Sequence, residues 1–207
     1  MNVNDTDLSK RLKEHIHNYE SKIVELFNNL NIKEFEKVIE LILKSFQKDN
    51  KIFIAGNGGS AATASHIHED FVFYSRHFAK KRPKVISLTN NVPFLTAISN
   101  DIGYEEIFVE QMRSIFQEGD VLVVISASGN SLNLIKAVEY VKSNKGTSVA
   151  FVGFDGGKLK DICDLCIFTP NPKGDYGPIE DMHLILGHMI IYMLAKNEKF
   201  LKIANNE

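Results

Sequence analysis

The sequence predicts an α/β fold: a five-stranded parallel sheet flanked by helices, with two further helices leading the chain. Three observations carry that expectation. Val121-Leu122-Val123-Val124-Ile125 is an uninterrupted, β-branched apolar run opened by the turn pair Gly119-Asp120, the pattern of a strand buried on both faces. Lys51-Ile52-Phe53-Ile54-Ala55 is a second short apolar strand. From there strand and helix patterns alternate to the end of the chain, and such alternation builds a parallel sheet with crossover helices.

The elements follow in order. Leu8, Leu12, Ile16, Tyr19, Ile23, Leu26, Phe27 and Leu30 form one long helical stripe, and Phe35, Val38, Ile39, Ile42, Leu43 and Phe46 a second. Next come strand 51–55, helix 60–72, strand 84–88, helices 93–99 and 104–116, and strand 121–126. Helix 131–143, marked by Leu134, Ile135, Ala137, Val138 and Val141, precedes strand 147–153. A short helix near 157–163, strand 165–169 and a last helix 178–195 complete the pattern. Residues 1–48 are expected to form an N-terminal helical pair and 49–207 the α/β core, one domain in all. The first stripe exceeds what one sheet face covers. Part of it, and part of Leu184–Leu194, is expected to pack on another subunit.

At 207 residues the chain is long enough for a substantial core. Its 44% apolar and 24% charged residues are those of an ordinary soluble protein. A net charge of −2 without a basic tail argues against a nucleic-acid partner, and Lys80-Lys81-Arg82-Pro83-Lys84 reads as a solvated loop. No apolar stretch reaches the ~18–20 residues of a membrane span. The polar, acidic start Met1–Asp7 does not resemble a secretory signal, so a cytoplasmic location is expected. Cys163 and Cys166 have the spacing of half a metal knuckle, but no second pair completes it. They read as packing residues.

Chemistry concentrates in two strand-to-helix turns. Ser126-Ala127-Ser128-Gly129-Asn130-Ser131 places three hydroxyls where free backbone N–H groups and the positive end of a helix dipole meet an anion. Serine hydroxyls donate without the bulk of lysine, which suits a phosphate monoester and points to a phosphosugar. Gly56-Asn57-Gly58-Gly59-Ser60-Ala61-Ala62 follows the other strand, and its glycines permit positive φ and close approach of a ligand to the main chain. It lacks the lysine of a P-loop and the glycine spacing of a dinucleotide site.

Two helices supply titratable groups. His66 and Asp70 lie one turn apart and share a face, a geometry for two metal ligands or a ligand beside a base, whereas His68 points about 200° away. Glu69 is not excluded by phase. In the last helix Glu180 and His188 are about two turns apart and roughly 80° off a common line, so convergence is allowed without being required. Asp181 is closer in phase to His188.

In their order, the Gly56–Ala62 loop, the His66 helix, Leu95–Asp101, the Ser126–Ser131 loop and the Glu180–His188 helix resemble the sugar-isomerase (SIS) domain family, in particular its members acting on seven-carbon sugar phosphates. The resemblance spans nearly the whole chain. It implies aldose–ketose isomerisation of sedoheptulose 7-phosphate to an aldoheptose 7-phosphate for heptose and surface-polysaccharide synthesis. The alternatives are an isomerase of another phosphosugar and a non-catalytic regulatory protein that binds sugar phosphates. Substrate contacts are then expected at Asn57, Gly58, Gly59, Ser60, Asn100, Asp101, Ser126, Ala127, Ser128, Ser131 and Glu180. The implied metal ligands are His66, Asp70, Glu180 and His188, holding zinc or another divalent ion, with Asp70, Glu180 and His188 as catalytic groups. Family members are homotetramers with sites shared between subunits. This chain departs from the family in carrying Asp70 for glutamate, Glu180 for glutamine, Ala127 for threonine, and no arginine before Ile179.

Overall fold

Two amphipathic helices open the chain in the computed structural model, which describes residues 5–205: α1 (Asp5–Asn28) and α2 (Ile32–Gln47). Asn31 caps α2, its Oδ1 accepting the Glu34 N–H at 3.3 Å and so satisfying one orphan donor of the first turn. The apolar face of α2 (Phe35, Val38, Ile42, Phe46) is buried, as are Leu26 near the end of α1 and Leu30 just beyond it. The earlier part of the α1 stripe finds no such cover. Every residue from Asp7 to Asn18 is exposed, and Leu8, Leu12 and Ile16 are each more than half so.

The rest runs β1 (Lys51–Gly56), α3 (Gly59–Val72), a 3-10 turn (Tyr74–His77), β2 (Lys84–Ser87), α4 (Val92–Asp101), a second 3-10 turn (Tyr104–Glu106), α5 (Val109–Arg113), β3 (Val121–Ser126) and α6 (Leu132–Ser143). After it come β4 (Thr147–Val152), α7 (Gly157–Ile162), β5 (Leu165–Phe168), α8 (Tyr176–Ala195) and α9 (Glu198–Asn205). The helix expected over 104–116 is divided. Gly103, at φ 148°, leads into the 3-10 turn, and the chain then drives Ile107 and Phe108 into the core before α5 begins. α9 lies beyond the expected elements and is held by Phe200, whose ring packs 4.8 Å from that of Phe46.

The five strands are all parallel, in the order β2-β1-β3-β4-β5. Ile54 lies beside Val123, and Val123 beside Val149. β3 is buried along its whole length because helices cover both faces. Val121, Val123 and Ile125 pack with α2, α3, α8 and α9, while Leu122 and Val124 pack with α5, α6 and α7. Most of the α8 stripe belongs to this core: Leu186, Ile190, Ile191 and Leu194 are buried, and Tyr192 and Met193 are the exposed apolar residues of its outer side. Among the described residues no helix is long and apolar enough to cross a membrane.

The strand order fixes where a ligand goes. From β1 the chain steps outward to β2, returns past β1 to β3, and continues to β4 and β5. Helices leaving β1 and β3 therefore diverge to opposite faces, and a crevice opens between the carboxyl ends of those two strands. Both turns singled out in the sequence lie there.

Candidate active site

The turn after β1 brings Asn57 and Gly58 to the start of α3. Gly58, at φ 55° and ψ −123°, occupies the α3 N-cap in a conformation that side-chain-bearing residues rarely adopt, and its N-cap supplies no side-chain acceptor. Gly59 is needed for a different reason. A Cβ there would stand 2.3 Å from Glu180 Oε2, so the absence of a side chain lets that carboxylate lie against the first turn of α3. Ser60 is buried behind it.

The turn after β3 is held by its own side chains. Ser126 Oγ accepts the Gly129 N–H at 3.0 Å, and Ser128 Oγ accepts the Asn130 N–H at 3.3 Å. Gly129, at φ 65°, lies so close to the turn after β4 that a Cβ would meet the Gly156 carbonyl at 1.9 Å; one on Gly157 would meet the Ser128 carbonyl at 2.3 Å. Ser131 occupies the N-cap of α6 yet makes no side-chain capping bond. Its hydroxyl is thereby left for a ligand, beside the first N–H groups of α6, which have no intrahelical acceptor. Ala127 is buried and offers only its backbone. Asn100 and Asp101, at the end of α4, are exposed and joined by a 2.7 Å hydrogen bond from Asn100 Nδ2 to Asp101 Oδ1.

Three of the four expected metal ligands meet. His66 of α3 and His188 of α8 face each other Nε2 to Nε2 at 2.8 Å, and each nitrogen is 3.6 Å from Asp70 Oδ2. The helices pack closely at this level because Gly187 leaves room for Ile67, which a Cβ would meet at 2.5 Å. Both histidines are about half exposed, so the cluster is open to solvent rather than sealed in the core. Two imidazole nitrogens and a carboxylate oxygen turned to one another fit a divalent metal, with a position left for a further ligand. Glu180 is not part of that group: its carboxylate lies against the first turn of α3, at Gly59. His68 turns elsewhere, its Nδ1 3.0 Å from the Val85 carbonyl.

Beside the crevice, a hydrogen-bonded set was not foreseen from sequence. The side chains of Asn57 and Asn133 exchange two hydrogen bonds of 2.9 Å, and the Tyr104 hydroxyl reaches Asn57 Oδ1 at 2.8 Å. The one available signal was Asn133 itself, a polar residue inside the apolar pattern of α6. His183 of α8 is wholly buried with neither ring nitrogen hydrogen-bonded. Burial pushes its pKa down to about 4. Cys163 and Cys166 are partly buried, and burial pushes their thiols up to about 12 and about 11, which leaves both protonated near neutrality.

A doubly wound sheet with two glycine- and serine-bearing turns at its switch point and a His–Asp–His group on adjoining helices defines an α/β protein with a candidate ligand crevice. Residues 17–153 match the SIS domain model. A phosphoheptose isomerase of Aneurinibacillus thermoaerophilus is 39% identical over 81% of this chain and 85% of the relative. Phosphoheptose isomerase 2 of Campylobacter jejuni is 40% identical over 78% of each. Among solved structures, a phosphoheptose isomerase from Neisseria gonorrhoeae superposes with a TM-score of 0.81 at 30% identity, covering 92% of this chain and all of that one. The chain belongs to the SIS-domain family, in its phosphoheptose isomerase group.

Proposed function

We propose that the chain interconverts sedoheptulose 7-phosphate and an aldoheptose 7-phosphate, the aldose–ketose isomerisation that feeds heptose synthesis for surface polysaccharides. The observation that carries this reading is the hydroxyl-lined turn after β3 together with the Glu180 carboxylate at the first turn of α3, with the His–Asp–His cluster farther along α3 and α8. The enzyme class follows from the relatives named above, and the residue roles are inferred from this geometry.

Ser126, Ser128, Ser131 and the first N–H groups of α6 hold the phosphate. That anchor leaves C1 and C2, at the other end of the sugar, to be positioned by the Asn57–Gly59 turn. Asp70 is engaged with both imidazoles, so Glu180 is the carboxylate left to act as base. Glu180 takes the proton from C1, the electron pair forms the C1–C2 double bond, and the C2 carbonyl becomes an oxyanion that Asn57 donates to. Return of the proton to C2, with the O1 proton moving to O2, gives the aldehyde. His188, expected both as acid/base and as ligand, turns its Nε2 into the cluster, and the ligand role is the one this orientation supports. Zinc or a similar ion would be held by His66, Asp70 and His188, and such an ion supplies a Lewis acid for substrate oxygens.

Assembly is part of the reading. The bare first half of α1, and an α4 in which no residue is buried although Val92 and Phe94 are apolar, support a homotetramer with sites shared between subunits. A cytoplasmic location accords with a metabolic enzyme. Incubation of the metal-replete protein with ketose phosphates of five, six and seven carbons, followed by proton NMR, tests the function. An aldose signal from the heptulose is expected. No aldose from any of them overturns the isomerase reading. Elemental analysis is expected to find one divalent ion per chain in the wild type and none in the His66→Ala variant.

A further inference from the structure

The hydrogen bonds around Asn57 fix which of its atoms, and which atom of Tyr104, remain for a ligand. Asn133 is buried at the start of α6, and its Oδ1 accepts the Leu134 backbone N–H at 2.9 Å. A backbone N–H only donates, so that atom of the Asn133 amide is the oxygen. The Asn57 atom paired with it is then Nδ2, and the one paired with Asn133 Nδ2 is Oδ1. Tyr104 lies 2.8 Å from Asn57 Oδ1 and has to give it the hydroxyl proton. Polarity thus passes from the main chain of α6 through two amides to a phenol.

Counting donors settles the remainder. Asn57 Oδ1 accepts from Asn133 and Tyr104, Nδ2 gives one N–H to Asn133, and one N–H is left over. The Tyr104 oxygen, its proton committed, offers a ligand only lone pairs. Tyr104 is 57% exposed, and the 3-10 turn that bears it is tied to α6 by Lys136, 2.6 Å from Glu106 and 3.6 Å from Glu105. A free amide N–H beside a free phenolic acceptor matches an α-hydroxyketone, in which a carbonyl oxygen accepts and the neighbouring hydroxyl donates.

We infer that Tyr104 is a positioning residue of this site: it locks the Asn57 amide with one N–H toward the ligand, and its oxygen accepts a hydrogen bond from a hydroxyl next to the substrate carbonyl. The inference rests on the isomerase reading for the identity of the ligand, while the orientation of the network does not. The phosphate cradle is untouched by it, so the consequence falls on the sugar alone.

Tyr104→Phe removes the hydroxyl and keeps the ring. Calorimetric binding of inorganic phosphate is expected to match the wild type, and binding of sedoheptulose 7-phosphate to weaken about fivefold, the value of one neutral hydrogen bond. Turnover is expected to drop at least tenfold, with KM changing less. Asn133→Asp keeps the acceptor for Leu134 and loses the donor to Asn57. Combined with Tyr104→Phe it is expected to cost little beyond the larger single effect, because both act through one amide. Equal weakening of phosphate and sugar phosphate, wild-type behaviour of Tyr104→Phe, or additive losses in the double variant each overturn the inference. A wild type that binds the sugar phosphate but forms no aldose overturns the isomerase reading instead, and the binding ratio still decides the role of Tyr104.

Discussion

Replacing Gly59 with alanine separates the position of the Glu180 carboxylate from the stability of the fold. The new methyl would stand 2.3 Å from Oε2 and 2.6 Å from Cδ and Oε1. Ordinary contact begins near 3.4 Å, so the carboxylate has to withdraw by about 1 Å. The obstacle is the far end of a flexible side chain, and the Gly59 backbone is not in the left-handed region, so the helix itself accepts alanine. Alanine at a helical position is favoured over glycine by roughly 0.5–1 kcal/mol. A misplacement of about 1 Å in a reacting group costs on the order of a hundredfold in rate. The variant is therefore expected to unfold in urea no earlier than the wild type, while kcat for sedoheptulose 7-phosphate falls about a hundredfold by NMR assay and KM changes little. Gly58→Ala should show the opposite loss of stability, about 1–2 kcal/mol, because Gly58 sits at φ 55° with no atom near its missing Cβ. A Gly59→Ala enzyme with wild-type kcat and wild-type stability would refute Glu180 as the base.

Three further outcomes are expected. Ser131→Ala should weaken sugar-phosphate binding by about 1–2 kcal/mol, as for a hydrogen bond to a charged group, with no change in urea midpoint, since the hydroxyl caps nothing; calorimetry and unfolding check both halves. His183 stays neutral in the native core down to about pH 4, whereas in the unfolded chain it takes up a proton below about pH 6.5. Its contribution is thus intact above pH 6.5 and is lost as pH falls towards 4, and urea titrations of His183→Phe should show a flatter pH dependence over that window. Leu12→Glu with Ile16→Glu should shift light-scattering mass to a smaller species without loss of sheet signal, and an unchanged mass would remove α1 from the interface.

The sheet was legible because its strands announce themselves. Val121–Ile125 reads as buried on both faces from its side chains alone, and the two turns after β1 and β3 follow from their glycines and serines. The division of the 104–116 helix was not legible, since Ile107 and Phe108 fit a helical stripe as well as they fit the core that captures them. Phase arguments located His66 with Asp70 and allowed Glu180 to converge with His188 without requiring it. The family resemblance then gathered all four into one group, of which the structure brings His66, Asp70 and His188 together. Asn133 escaped notice because its side-chain partner Asn57 lies 76 positions away, on an element whose spatial order a single sequence does not display.

Gly129 and Gly157 interlock the turn after β3 with the turn after β4, main chain against main chain. The proposed phosphate cradle is therefore shaped from behind by the turn after β4. A loop transplant that moved only Ser126–Ser131 into another doubly wound sheet would carry the hydroxyls and lose their mould. Recruiting this cradle elsewhere requires two successive crossovers to travel together, which makes the unit of inheritance a pair of strands rather than a six-residue motif.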